Sequence, residues 1–355
     1  MINFCRIFFI AVILCRLAGI TAVYAQNDDS AKRFAITNYS ANYMREKPDF
    51  PQELGNQVLM GTPVEIIGEE SYWKQIVSPE PYKAWCVNLG LTEMTASELQ
   101  EYISAPKYIV ISDYSHVYSA KDPSSERISD LVAGDLLRQT LSKKSKKGFT
   151  EVMLPSGKTG YVPSADIADF SSWAERRKAT FENISQTALS FLGIPYLWGG
   201  TSVKGMDCSG LTRMVWFMNG VLLPRNASQQ AKTGVFVEIP QECEPPMNED
   251  GTRMPAGEIT RAMMQRRISK LQPGDLIFFG KALKFSHVGI YLGNGRFIHS
   301  SHCVRINSLL PGDDDYYDGS PLMHTARRII GQEDKGTGVI SISKSPAYFL
   351  QTSEN

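Results

Sequence analysis

The sequence predicts a multidomain chain: two small all-β barrels, then an α+β domain built on a central antiparallel sheet. Three observations predict it. Two adjacent segments repeat one pattern of short strands between residues 26 and 170. From Ser171 the apolar residues take up a helical spacing. Alternating apolar runs rich in Gly then return, from LQPGDLIFF to CVRIN. Helices first and a β-meander after them give an α+β domain. The expected units are a leader over 1–25, β modules over 26–105 and 106–170, the α+β domain over 171–335 and a C-terminal tail over 336–355. A chain of 355 residues is long enough for this, at roughly 100–200 residues per domain.

The leader comes first. Ile7 to Leu14 is almost continuously apolar, Arg6 precedes it, and Val23-Tyr24-Ala25 ends in the small residue a signal peptidase prefers. The run is interrupted by Arg16 and falls short of the ~20 residues a membrane span needs. Cleavage after Ala25 and export to the periplasm, cell surface or medium are expected, with no stable membrane insertion afterwards. Lys+Arg and Asp+Glu balance at 37 each, so nothing points to nucleic acid as a partner.

In the first β module NYMREKP is followed by QVLMGTPVEII and WKQIVSPEPYKAWCV. In the second, HVYSAKDP is followed by ISDLVAGDLLRQT and FTEVMLPSGKTGYVP. Each copy closes on an aromatic-Val hairpin, Trp85 to Val87 in one and Tyr161-Val162 in the other. The pair resembles tandem bacterial SH3-like domains over about residues 30 to 170.

The α+β region begins with SSWAERRKATFENISQTALSFLG. Trp173, Phe181, Ile184, Ala188 and Phe191 give it a helical period, and Gly193 and Pro195 stop it. The Gly-rich loop IPYLWGGTSVKGMD leads to Cys208, which opens an apolar helix running to about Asn219-Gly220. A helix start suits a thiolate, because unpaired N–H groups and the macrodipole favour negative charge there. Asp207 is an N-cap by residue type. A structural cysteine is the alternative. Residues 240–258 are Pro-rich and acidic, a surface insertion.

A nucleophile needs a base, and the base an orienting group. Three of the five histidines lie in SHVGIYLGNGRFIHSSH, a hairpin with Asn294-Gly295 at its tip. Side chains alternate faces, so the register decides which residues meet. A two-residue turn pairs Gly293 with Arg296 and sets His287 opposite His302. A three-residue loop pairs Leu292 with Arg296 and brings His299 onto the face of His287. Residue chemistry leaves His299 and His302 both open as the third group.

PYLWGG, MDCSGL, LQPGDLIFF and SHVGIYLGNGRFIHSS, in this order over about 180–332, resemble the NlpC-type, papain-like cell-wall cysteine peptidases. The resemblance implies Cys208 as nucleophile, His287 as base and acid, and His299 as the orienting residue. It places Tyr196 near the oxyanion and Asp207 and Ser209 along the cleft. With the leader and two SH3-like modules, the chain is similar to the γ-D-glutamyl-L-diamino acid endopeptidases of the YkfC type. Those cut murein stem peptides, favouring stems whose L-Ala amine is free, and their first module closes one end of the cleft. Tyr82 matches the module's tyrosine, and Glu53 is the expected acidic partner of the ammonium. In PRNASQQ, Asn226 stands where such peptidases often carry an acid, and Ser228 is the nearby hydroxyl.

Neither a cofactor nor a metal is expected, and the chain is expected to act as a monomer on murein stem peptides. Of the other cysteines that follow the leader, Cys86 is expected in a core, Cys243 in the insertion, and Cys303 on the strand face of His299 if that strand continues. Two other readings compete: a non-catalytic wall-binding protein, and an acyltransferase on the same scaffold.

Overall fold

Both β modules share one strand topology. The computed structural model describes residues 32–141, 148–240, 259–281 and 284–351. The leader, Cys243 and all of the acidic insertion past Pro240 lie outside them. The first module holds β1 (Arg33–Thr37), β2 (Ala41–Arg45), β3 (Leu54–Leu59), β4 (Pro63–Glu70), β5 (Trp73–Val77), β6 (Lys83–Val87) and β7 (Leu91–Met94). After α1 (Ala96–Ser104) the second holds β8 (Lys107–Val110), β9 (Tyr114–Tyr118), β10 (Arg127–Val132), β11 (Leu136–Gln139), β12 (Phe149–Met153), β13 (Thr159–Pro163) and β14 (Ile167–Asp169). The sheet orders are β3-β2-β6-β5-β4-β1-β7 and β10-β9-β13-β12-β11-β8-β14. They correspond strand for strand, so the weak sequence repeat is a repeat of fold. Each is an open seven-stranded sheet and not the closed barrel expected: β1 pairs with both β4 and β7, which leaves β3 and β7 as free edges.

Alternation builds these strands. In β2, Asn42 and Met44 point inward and Tyr43 outward. Cys86 is 1% exposed in the first module's core. The modules meet at a buried carboxylate. Asp135 accepts the N–H groups of Met60 (2.9 Å) and Val132 (2.8 Å), and burial raises its pKa well above the usual range. Gly61 (φ +79°) permits this approach, since a Cβ there would lie 2.4 Å from the Leu136 carbonyl oxygen.

The single helix expected after Ser171 is two helices, α2 (Phe170–Arg176) and α3 (Phe181–Ser190). Thr180 breaks the run: it is extended, and its hydroxyl caps α3 by accepting the Asn183 N–H. The hairpin β15 (Thr201–Ser202) and β16 (Gly205–Met206) leads into α4 (Cys208–Phe217), every residue of which is buried. Gly220 (φ +80°) follows as the left-handed residue. Next come β17 (Val221–Leu222), α5 (Ala227–Gln230), β18 (Val235–Val237) and α6 (Arg261–Arg267). The remaining strands are β19 (Leu276–Lys281), β20 (Lys284–Gly293), β21 (Arg296–Ser301), β22 (Cys303–Ser308), β23 (Met323–Arg328) and β24 (Ile340–Ser341). The central antiparallel sheet runs β18-β23-β19-β20-β21-β22. Leu211, Met214 and Val215 of α4 share one core with Val288, Ile290 and Ile298 of the sheet. Residues 336–351, expected as part of a tail, are packed: β24 pairs with β17, and Tyr348 lies edge-on to Phe170 and Phe217. Among the described residues no helix is long and apolar enough to cross a membrane.

The first module is fastened to the Cys208 domain by polar groups. Gln57, fully buried, accepts the Thr201 N–H (2.9 Å) and the Ser202 hydroxyl (2.9 Å), and its carbonyl accepts the Thr201 hydroxyl (2.7 Å). Arg213, inside α4, is ion-paired with the buried Glu80. Removing one partner of such a pair strands the other charge in the core, at ~3–5 kcal/mol. Glu80→Ala is therefore expected to lose about that much stability in denaturant unfolding. A loss under ~1 kcal/mol would contradict the ion pair's part in docking the module.

Candidate active site

Asp207 organises the start of α4. One oxygen accepts the Gly210 N–H (2.7 Å), capping the helix, and the other accepts the Gly199 N–H (3.0 Å) from the PYLWGG loop. Arg225 grips both oxygens at 3.1 and 2.5 Å and donates to the Ser209 hydroxyl at 2.9 Å. Pair and cap are buried, so the geometry is set away from solvent. Gly210 lets the helix start touch the loop, as a Cβ there would lie 1.9 Å from the Gly200 carbonyl oxygen. Cys208 is thus held at the first turn, its sulfur facing the backbone N–H groups of Ser209 and Val288.

The sheet supplies the histidines, and the hairpin register combines both readings left open by the sequence. Gly293 pairs with Arg296 around a two-residue Asn294-Gly295 turn, both residues at positive φ. A bulge at Leu292 then shifts the ladder, pairing Tyr291 with Phe297 and Ile290 with Ile298. His299 thereby shares a face with His287, and their rings meet with Nε2 of His287 2.7 Å from Nδ1 of His299. His302 is no third group. It sits at the tip between β21 and β22 at φ 63°, and its carbonyl accepts the Tyr196 N–H (2.9 Å). The strand therefore does not continue to Cys303, which pairs back with Ser301.

The hydrogen-bond chain fixes the tautomers. The Asn307 amide nitrogen donates to the Asp315 carbonyl (2.7 Å), so its oxygen faces Nε2 of His299 at 2.9 Å. His299 then donates from Nε2 and accepts at Nδ1, and His287 must donate from Nε2. Nδ1 of His287 is left as the unprotonated nitrogen, next in sequence to the Val288 N–H that faces the thiol. Asp315 is itself held by a two-point ion pair with Arg296 (2.7 and 2.6 Å).

Residues 193–317 match the NlpC/P60 family. The chain is 31% identical to dipeptidyl-peptidase 6 of Lysinibacillus sphaericus over 74% of this chain and 87% of that one. The chain belongs to the NlpC/P60 family of cysteine peptidases. It is 27% identical to the γ-D-glutamyl-L-lysine dipeptidyl-peptidase of Bacillus subtilis strain 168, over 74% of this chain and 77% of that one. Its fold is like that of an NlpC/P60 family protein from Bacillus cereus ATCC 10987, with a TM-score of 0.64 at 23% identity, over 83% of this chain and 99% of that one.

The NlpC/P60 cleft, about 380 Å³, gathers residues from both domains. Tyr196, Asp207, Cys208, Ser209, Asn226 and Ser228 line it from one side; Tyr82, Glu53 and Glu46 line it from the first module. The sequence reading missed Glu46, whose carboxylate accepts the Tyr82 hydroxyl at 2.5 Å. NYMREKP contains it, but its neighbours give no sign that it faces the cleft. Arg225, in the Pro-Arg pair before Asn226, and Asn307, a polar residue on a buried strand, were also missed as site residues.

Burial sets the proton positions. It pushes the Cys208 thiol up to about 12, Asp207 adding to the effect, against the Val288 and Ser209 N–H groups. It pushes His287 down to about 3, with further repulsion from His299 and Arg305. His299 falls to about 4 by burial, despite its bond to Asn307. Burial thus favours the neutral thiol at Cys208 and the neutral imidazole at His287 and His299.

Two outcomes follow. Asn307→Leu leaves Nε2 of His299 without an acceptor, so kcat is expected to fall about 10–100-fold with KM little changed; kcat within about twofold of wild type would contradict the hydrogen-bond chain. Both histidines stay neutral when folded and protonate near ~6.5 when unfolded. The stability they contribute is present above that pH and is lost as pH falls below it. The thermal midpoint should therefore drop between about pH 7 and pH 5, and His299→Gln should shrink the drop. A drop of unchanged size in that variant would contradict the assignment.

Proposed function

We propose that the protein hydrolyses the bond between γ-D-Glu and the diamino acid of murein stem peptides, releasing L-Ala-D-Glu from stems with a free amino terminus. One observation carries the reading: the first module walls the Cys208 cleft with two carboxylates and a tyrosine, Glu46, Glu53 and Tyr82. An acidic wall a short way from the nucleophile suits an ammonium and limits how much peptide fits ahead of the cut bond. The names of the relatives, two of them dipeptidyl-peptidases acting at γ-D-glutamyl-L-lysine, agree with such a two-residue gauge.

Chemistry would proceed by acyl transfer. As sulfur attacks the γ-carbonyl, the thiol proton passes to Nδ1 of His287, and His299 steadies the imidazolium through Nε2. Tyr196 lies by the sulfur, where it can donate to the developing oxyanion. The imidazolium protonates the leaving amine, forming a thioester, and the neutral imidazole then activates water to release the dipeptide. Ser228 offers a hydroxyl to the D-Glu carboxylate, while the Ser209 hydroxyl is taken up by Asp207 and Arg225.

Asn226 accepts a hydrogen bond but supplies no charge, and losing one charge-assisted contact costs ~1–2 kcal/mol. Glu46 and Glu53 take over that role in this reading. The polar lining does not suit an apolar acyl chain, which argues against an acyltransferase. The two β modules are read as SH3-like units, of which the first serves as the gauge. The leader over 1–25 is read as a signal for export to the periplasm or cell surface, where murein peptides occur. Since one chain completes the cleft, a monomer suffices.

The test compares L-Ala-γ-D-Glu-meso-diaminopimelate with its N-acetylated form. Wild type should release L-Ala-D-Glu from the free-amine peptide at least about tenfold faster. Glu46→Gln with Glu53→Gln should erase that preference, and Cys208→Ala should abolish cleavage. Equal cleavage of both peptides by wild type would sink the gauge; cleavage by Cys208→Ala would sink the mechanism.

A further inference from the structure

Arg305 lies directly opposite His299 in the β21–β22 ladder, so the two side chains share a face. Its Nε is buried and has no hydrogen-bond partner. Its charge reaches His287, His299 and Tyr317. No carboxylate pairs with it among the described residues. Arg213, Arg225, Arg296 and Arg328 of this domain pair with Glu80, Asp207, Asp315 and Asp275, and Arg177, Arg267 and Arg327 donate to backbone carbonyls. An unpaired cation beside the proposed base also opposes the imidazolium that turnover needs. A packing role alone would be served better by an uncharged residue.

The place of Arg305 indicates what it meets. In the reading above, the acyl half of the substrate fills the cleft walled by the first module. The leaving amine must take its proton from His287, so the departing residue lies on the histidine side. Arg305 faces that side and is absent from the lining of the acyl half. A planar guanidinium selects carboxylates by two-point bonding.

We infer that Arg305 is a specificity-determining residue that binds a carboxylate of the departing diamino acid. This rests on the proposed function. The carboxylate is either the one on the α-carbon or a second one on the side chain. When bound, it also screens His287 from the guanidinium, so the contact favours the step that forms the imidazolium.

Three substrates separate the sources, all beginning L-Ala-γ-D-Glu. One ends in L-Lys amide and has no carboxylate on the leaving residue. One ends in L-Lys free acid. One ends in meso-diaminopimelate amidated at the α-carboxyl, keeping only the side-chain carboxylate. Wild type is expected to favour at least one acid over the amide by about tenfold in kcat/KM. Arg305→Gln should bring that ratio to within about twofold, while Arg305→Lys, a point charge, should keep part of it. The substrate whose advantage disappears identifies the carboxylate. A wild-type ratio near one, or a ratio unchanged in Arg305→Gln, overturns the inference. A wild type inert on all three overturns the proposed function itself, and this inference with it. A melting curve of Arg305→Gln separates lost recognition from lost folding, because a folding defect lowers all three rates together.

Discussion

The site hangs on the buried ion pair between Asp207 and Arg225. One carboxylate caps the Cys208 helix, holds the PYLWGG loop through Gly199 and is itself held by a two-point guanidinium grip. Each contact limits the freedom of the others. The helix start cannot shift without breaking the cap, the loop cannot lift without losing its acceptor, and Gly210 leaves no slack against Gly200. Such a pair adds little net stability, because desolvation offsets most of the attraction. What it contributes is geometry: Cys208, Ser209 and Tyr196 are fixed relative to one another before any substrate arrives.

A second rigid line runs through the sheet, from Arg296 through Asp315, Asn307 and His299 to His287. Every donor in it has one acceptor within reach, so the proton pattern is determined by connectivity. The two lines meet where the Val288 N–H faces the Cys208 sulfur. Burial keeps thiol and imidazole neutral there, so charge is created only with the reaction. The module wall of Glu46, Glu53 and Tyr82 stands outside both lines.

The sequence was most legible where local rules act. Asp207 as a cap, Gly220 as a helix stop, Asn294-Gly295 as a turn and the strand runs of the sheet all follow from short-range chemistry. The hairpin register was only half legible. The turn type can be read from Asn-Gly, but the bulge at Leu292 is decided by which face is buried, and that is tertiary. Thr180 was a legible cap that the longer apolar period masked. The open edges of the β modules were hidden for a related reason, since closure depends on which strands pair. Glu46 and Arg225 were not legible as site residues, because each meets its partner across intervening elements of the chain, and Asn307 was not, because only the folded ladder turns it toward His299.

The central claim is that the first module and the Cys208 domain together grip a free amino terminus on one side and leave the departing residue on the histidine side. A crystal structure of Cys208→Ala with L-Ala-γ-D-Glu-meso-diaminopimelate tests it most directly. The account predicts the L-Ala ammonium against Glu46 and Glu53, with the γ-carbonyl beside residue 208. A peptide bound in the reverse direction, or with its ammonium in open solvent away from Tyr82, would contradict it.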